Sequence, residues 1–123
     1  MLFVSSITAA IAAILLVALS LPISFRRMAV GVDIGPGSDE TLLRRIRAQG
    51  NFIEYVPISL LLLVLNEFRG VSSVWLWCLA GLLLVGRVSH AAGILTAIAP
   101  LRAAGMLGTY GSLLLGAGLL VIG

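Results

Sequence analysis

The sequence predicts an all-α fold, an integral membrane four-helix bundle, and three observations carry that prediction. Hydrophobic residues make up 60% of the 123 positions and charged residues only 11%, well under the roughly one quarter typical of soluble domains. Four apolar stretches lie near positions 2–25, 46–66, 74–95 and 103–122. Each approaches the ~20 residues that cross a ~30 Å hydrocarbon core at ~1.5 Å per residue. Lipid offers the backbone no hydrogen-bond partner, so a spanning segment must satisfy its own N–H and C=O groups as a helix. Residues 1–123 therefore read as one transmembrane domain, with helices at approximately 2–25, 39–66, 73–95 and 103–122.

The first helix carries small residues at Ser5, Ala9 and Ala13, four apart. Such stripes let helix backbones approach closely where lipid supplies no hydrophobic drive for association. A secretory signal is the alternative reading, but the apolar run is long for one and no basic residue precedes it. The connection that follows, RRMAVGVDIGPGSDE, is the one stretch dense in turn formers. Ser38 is the expected N-cap of the second helix, with Asp39 and Glu40 in the first turn, where the helix dipole favours acids. From residue 39 to 66 that helix would run about 42 Å, so its first turns lie outside the hydrocarbon. Pro57 inside it removes the hydrogen bond to the Ile53 carbonyl and predicts a kink. The third helix opens with Trp75 and Trp77, as an interfacial aromatic belt would, and closes with Arg87 and His90. The fourth repeats the small-residue spacing at Gly108, Ser112 and Gly116. Lone Cys78 and Tyr110 are assigned to packing.

All eight basic residues are arginines, and they are unevenly placed. Arg26, Arg27, Arg44, Arg45 and Arg47 flank the first connection and Arg102 follows the third. The second connection has only Arg69, beside Glu67. The positive-inside rule then predicts a multi-pass protein with connections one and three in the cytoplasm and both termini outside. A nucleic-acid partner is not expected, because no soluble basic face exists to bind one. No metal is expected either.

The polar residues of the second helix set the functional question. Arg47, Asn51 and Glu54 stand at i, i+4 and i+7, one stripe, with Tyr55 at its border. Arg87, His90 and Ile94 make a matching stripe on the third helix. A mid-membrane charge costs about 2.5–3.5 kcal/mol on the insertion scale, whereas each Leu returns about 0.3–0.6. The apolar run at positions 60–65 is thus roughly cancelled by Glu54 alone. The stripe must face protein or a wet cavity, with Glu54 paired to an arginine. A two-residue lock between helices is the bland reading. Eight convergent groups, Arg44, Arg47, Asn51, Glu54, Tyr55, Arg87, His90 and Arg102, favour a pocket, and its excess of guanidinium favours an anionic ligand.

The run RAQGNFIEYVP, positions 47–57, resembles the second-helix signature of the MAPEG family, the membrane-associated proteins in eicosanoid and glutathione metabolism. Microsomal glutathione transferases and leukotriene C synthase carry R-x-Q-x-N-x-x-E-Y-x-P, and every specified position of it is present. GRVSHAAG and APLRAAG are similar to the bacterial branch of that family, so the likeness spans roughly 44–105. The resemblance implies a homotrimer of four-helix subunits that binds glutathione as co-substrate between neighbours on the cytoplasmic side. Arg47, Asn51, Glu54 and Tyr55 would hold the tripeptide, Glu54 at its α-amino group. Arg44, Arg47 and Arg87 would meet carboxylates or orient Glu54. The axial rise from Arg47 to Glu54, about 10.5 Å, matches an extended tripeptide of about 10 Å.

Arg102 resembles the family's catalytic arginine near the glutathione sulfur. It implies a transferase or peroxidase whose Arg-stabilised thiolate meets an apolar small-molecule electrophile or a lipid hydroperoxide arriving from membrane lipid. Two departures stand out. His90 and Ile94 occupy positions where the eicosanoid synthases have tyrosines, which leaves His90 either a ligand contact or a structural residue. One residue more separates Arg87 from Arg102 than in leukotriene C synthase, which leaves the register of Arg102 open. The competing readings are a non-catalytic protein of the same fold that binds another anion or partner, and a small proton-coupled exporter using Glu54. Such exporters carry their acid in the first helix, which here has none.

Overall fold

The structure, a computed structural model, describes residues 1–122. Four helices follow in order: α1 Phe3–Val30, α2 Glu40–Phe68, α3 Ser73–Thr96 and α4 Ala99–Ile122. All four are long and apolar enough to span a membrane, and no strand occurs among the described residues. The helix α3 packs most intimately on α4, α2 touches all three others, and α1 and α4 do not meet.

The boundaries differ from the expected ones for identifiable reasons. Arg26 and Arg27 continue α1 for another turn beyond position 25, until Gly31 takes the left-handed conformation at φ 69° and returns its N–H to the Arg27 carbonyl. Glycine adopts that φ without a Cβ penalty. The cap of α2 is Asp39, not Ser38: its carboxylate accepts from the Leu42 N–H at 2.8 Å. The α3–α4 connection is only Ala97 and Ile98, so α4 begins at Ala99 rather than 103. Pro100 does not prevent this, because the first turn of a helix needs no N–H from it. Helix α2 runs on through Pro57.

The small-residue seams are also displaced. On α1 the buried face is Val4, Ser5, Thr8 and Ala12, whereas Ala9 and Ala13 are exposed. On α4 it is Gly105, Thr109, Ser112 and Gly116, with Gly108 only partly covered. The closest approach is between α3 and α4. A Cβ on Gly105 would collide with the His90 backbone and the Gly86 carbonyl, and one on Gly93 would lie 2.6 Å from the Arg102 Cα. These glycines bring His90 and Arg102, a turn apart along the seam, to the same end of the bundle.

Two apolar clusters fill the bundle below that end. Ala12, Phe52, Val56 and Leu83 form one. Val4, Leu63, Leu76, Leu79 and Ala80 form the other, toward the chain termini. At the far end Glu67 caps α1 from another helix, its two oxygens accepting the Val4 and Ser5 N–H groups at 2.7 Å each. Asn66 donates from Nδ2 to the Gly116 carbonyl at 3.0 Å, tying α2 to α4.

The arginine-rich connection is ordered by its own charges. Arg26 grips Asp39 in a fork, Nε to Oδ2 at 2.9 Å and Nη2 to Oδ1 at 2.8 Å. Arg27 donates to the Gly35 carbonyl at 2.7 Å, and Arg45 to the Pro22 carbonyl at 2.9 Å. The Arg26 fork, helped by the Leu42 N–H, holds the Asp39 carboxyl at about 2, below its ordinary 3.8.

Two outcomes follow. Gly105→Val forces α3 and α4 apart and lowers stability by about 1–3 kcal/mol or more, the usual range for overpacking, read as a lower unfolding midpoint by circular dichroism in detergent. Because the Asp39 pKa is depressed on folding, its contribution is complete above about pH 4 and declines as pH falls through about 2. An acid titration of stability flattens over that window in Asp39→Asn.

Candidate functional site: an arginine-lined cleft between α2, α3 and α4

Where α2, α3 and α4 meet near the arginine-rich end, their side chains enclose an open cleft of about 450 Å³. From α2 it takes Arg47, Asn51 and Tyr55, one helical stripe. From α3 it takes His90 and Ile94, spaced four apart. From α4 it takes Arg102, Met106 and Tyr110, again every fourth residue. Five residues singled out in the sequence, Arg47, Asn51, Tyr55, His90 and Arg102, thus line one cleft. The other three lie nearby but elsewhere.

Arg87 sits behind the wall, 3% exposed. Its Nε donates to Thr109 Oγ1 at 3.0 Å, its Nη1 to Asn51 Oδ1, and its Nη2 approaches the Met106 sulfur at 3.3 Å. Its guanidinium carbon stands 5.5 Å from the centre of the Tyr55 ring, a cation–π contact. Tyr55 in turn meets Tyr110 edge to face at 5.9 Å. Among the described residues no carboxylate pairs with Arg87. The charge is solvated by an amide, a hydroxyl, a thioether and a ring, all of them neutral. The cleft it backs is therefore electropositive.

Glu54 is outside the cleft on the outer surface of α2, where Arg47 Nη2 reaches it at 3.2 Å. Both side chains are about half exposed, 49% for Arg47 and 52% for Glu54. Gly50 makes this bridge possible. A Cβ there would lie 3.1 Å from Arg47 Nη1, so the glycine leaves room for the arginine to fold along the helix. Arg44 is nearer the connection, donating to the Ile94 carbonyl at 3.1 Å and to Glu40 at 3.0 Å. It borders a small recess shared with Arg102, Gly93 and Ala97. His90 is 4% exposed, and among the described residues its imidazole has no hydrogen-bond partner in the protein, though it lines the cleft.

Sequence reasoning missed Met106, Thr109 and Tyr110. Their signal was present in the spacing: Met106 and Tyr110 follow Arg102 by four and eight positions, so a helix that points Arg102 into a cleft points them there too. Tyr110, assigned to packing, is 44% exposed and forms part of the cleft floor.

The model of the MAPEG family matches residues 5–122 of this sequence. The chain belongs to the MAPEG family. Among curated proteins it is similar to inner membrane protein YecN of Escherichia coli strain K12, 34% identical over 113 residues, which cover 91% of this chain and 86% of YecN. YecN of Escherichia coli O6:H1 strain CFT073 gives the same figures. No solved structure matches the chain significantly. A MAPEG protein with four spanning helices and an inner-membrane relative is a multi-pass integral membrane protein.

The Arg87 network predicts its own double-variant signature. Asn51→Leu leaves a buried guanidinium short of an acceptor and lowers stability by about 1.5–3 kcal/mol. Arg87→Met added to Asn51→Leu recovers part of that loss, because the stranded charge is gone. Chemical unfolding of the single and double variants followed by circular dichroism reads the difference.

Proposed function

We propose that the protein is a glutathione-dependent membrane enzyme, a transferase or peroxidase acting on apolar electrophiles or lipid hydroperoxides, and that it works as a homotrimer. The observation that carries this reading is the convergence of Arg47, Asn51, Tyr55, His90 and Arg102 on one cleft backed by an uncompensated arginine. Family membership supports it, since MAPEG proteins include glutathione transferases and peroxidases.

The donor set fits the tripeptide. Glutathione carries two carboxylates, an amine and a thiol, and a cleft of about 450 Å³ lies in the size range of small-molecule sites. Arg47 and Asn51 offer donors to carboxylate and amide groups, and the Glu54 carboxylate beside Arg47 suits an ammonium. Arg102 stands on the opposite wall, at the other end of the row from Glu54. Glutathione supplies the thiol. A cysteine thiol with pKa near 8.5 is mostly protonated at neutral pH. A guanidinium that lowers that value by about two units contributes about 2.7 kcal/mol toward the thiolate. The thiol proton passes to water and Arg102 holds the charge on sulfur before attack. In a transferase the sulfur bonds the electrophilic carbon and the leaving group departs with the bond pair. In a peroxidase two glutathiones supply the two electrons, leaving an alcohol, water and glutathione disulfide.

The trimer rests on the exposed pair. Arg47 and Glu54, half uncovered on one chain, cannot be left to acyl chains at small cost. A neighbouring copy laid against this face covers them and closes the cleft. The sidedness follows the arginines: connections one and three are cytoplasmic and both termini are outside.

Glutathione titration of the purified protein in detergent, followed by thiolate absorbance near 240 nm, tests the reading. Saturable binding with absorbance is expected. Arg47→Ala and Glu54→Gln weaken binding by about tenfold or more, the loss of a charge-assisted contact. Arg102→Ala keeps binding and loses the absorbance. Unchanged binding in both Arg47→Ala and Glu54→Gln refutes the site, and wild-type binding without thiolate favours a non-catalytic anion-binding member of the fold.

A further inference from the structure

A second recess lies on a neighbouring face of α2 and shares no lining residue with the polar cleft. It is a cavity of about 300 Å³ bounded by Pro22 on α1, Thr41, Arg44 and Arg45 on α2, and Leu95 on α3. Ala18, Leu19 and Leu95 also line an apolar groove of about 260 Å³ between α1 and α3, so the two are continuous. The groove descends past Ala92, Ala91 and Val88. From Leu95 to Val88 that is about 10 Å along α3 toward the bilayer centre. Its width comes from alanines at 18, 91 and 92, where a larger side chain would fill the space between the helices.

The charge at the head of this groove is only partly answered. Arg44 shares the Glu40 carboxylate. Arg45 gives one hydrogen bond, to the Pro22 carbonyl, and has no carboxylate partner among the described residues. Arg45 lines the recess, and its guanidinium has further N–H groups beyond the one given to Pro22. The vertical order is thus two guanidinium groups at the arginine-rich end, then an apolar groove lined by alanines, leucines, Val88 and Phe52, with Arg87 at its inner side. A molecule with an anionic head at the interface and a chain below it has the same order. We propose that this recess and groove bind an anionic glycerophospholipid, its phosphate on Arg45 and Arg44 and one acyl chain between α1 and α3.

Native mass spectrometry of the intact protein with equal dioleoyl-phosphatidylglycerol and dioleoyl-phosphatidylcholine tests this. Wild type retains the glycerol lipid severalfold over the choline lipid. Arg45→Gln reduces that preference about fivefold, the loss of one basic contact to an anionic lipid. Arg45→Lys retains it, so a lost Pro22 contact is told apart from a lost charge. Ala18→Phe, which fills the groove and leaves both arginines in place, reduces retention of the glycerol lipid while circular dichroism shows the helices intact. Equal retention of the two lipids by wild type overturns the proposal, as does unchanged retention in Ala18→Phe. A disulfide between chains carrying Ala18→Cys and Cys78→Ser overturns it as well, because a second copy then occupies the groove.

Discussion

The buried Arg87 guanidinium is the constraint around which the arginine-rich half of the bundle is built. A cation at this depth is tolerated only where neutral dipoles replace its water. Asn51 comes from α2, Thr109 and Met106 from α4, and the Tyr55 face from α2 again. Satisfying one side chain of α3 therefore fixes the rotation of both neighbouring helices. Once α2 turns Asn51 inward, Arg47 and Tyr55 must share its face. Once α4 turns Thr109 inward, Met106 and Tyr110 border the same space. The cleft is the consequence of solvating that charge.

Glycine sets the distance over which this works. Gly86, Gly93 and Gly105 let the α3 and α4 backbones touch, with Thr109 beside Gly86. Thr109 also donates its hydroxyl back to the Gly105 carbonyl at 2.9 Å, leaving its oxygen directed at Arg87 Nε. Separation of the helices by one methyl group would lengthen the Arg87 contacts first. Packing and electrostatics here are one device.

Four spanning helices and a polar stripe on α2 were legible because hydrophobic length and the 3.6-residue period are local properties. Positions such as Arg47, Asn51 and Tyr55 announce themselves by standing where lipid would reject them. The α4 contribution was hidden for the opposite reason. Met106 and Tyr110 are ordinary membrane-helix residues, and Thr109 can satisfy its hydroxyl within its own helix, so only the tertiary position of Arg87 reveals their role. Helix ends were less legible still. Asp39 displaced Ser38 as the cap because Arg26, thirteen residues away, orients its carboxylate, and no window along α2 contains that information. Glu67 was similarly opaque, since its partners are the first N–H groups of α1.

Two of the three acids of α2, Glu54 and Glu67, show how position decides the fate of a charge. Glu67 lies at the helix end and is consumed by α1, where two backbone N–H groups and the positive end of a helix dipole hold it. That makes it part of the fold. Glu54 meets only Arg47, over Gly50, and keeps half its surface uncovered. A single salt bridge at such exposure contributes little to stability, and Glu54 lies beside the exposed apolar Ile53, Pro57 and Ile58. Folding of one chain does not account for placing two charges there. In the proposed trimer a neighbouring copy laid on the outer face of α2 beside the cleft would cover the pair and offset that cost.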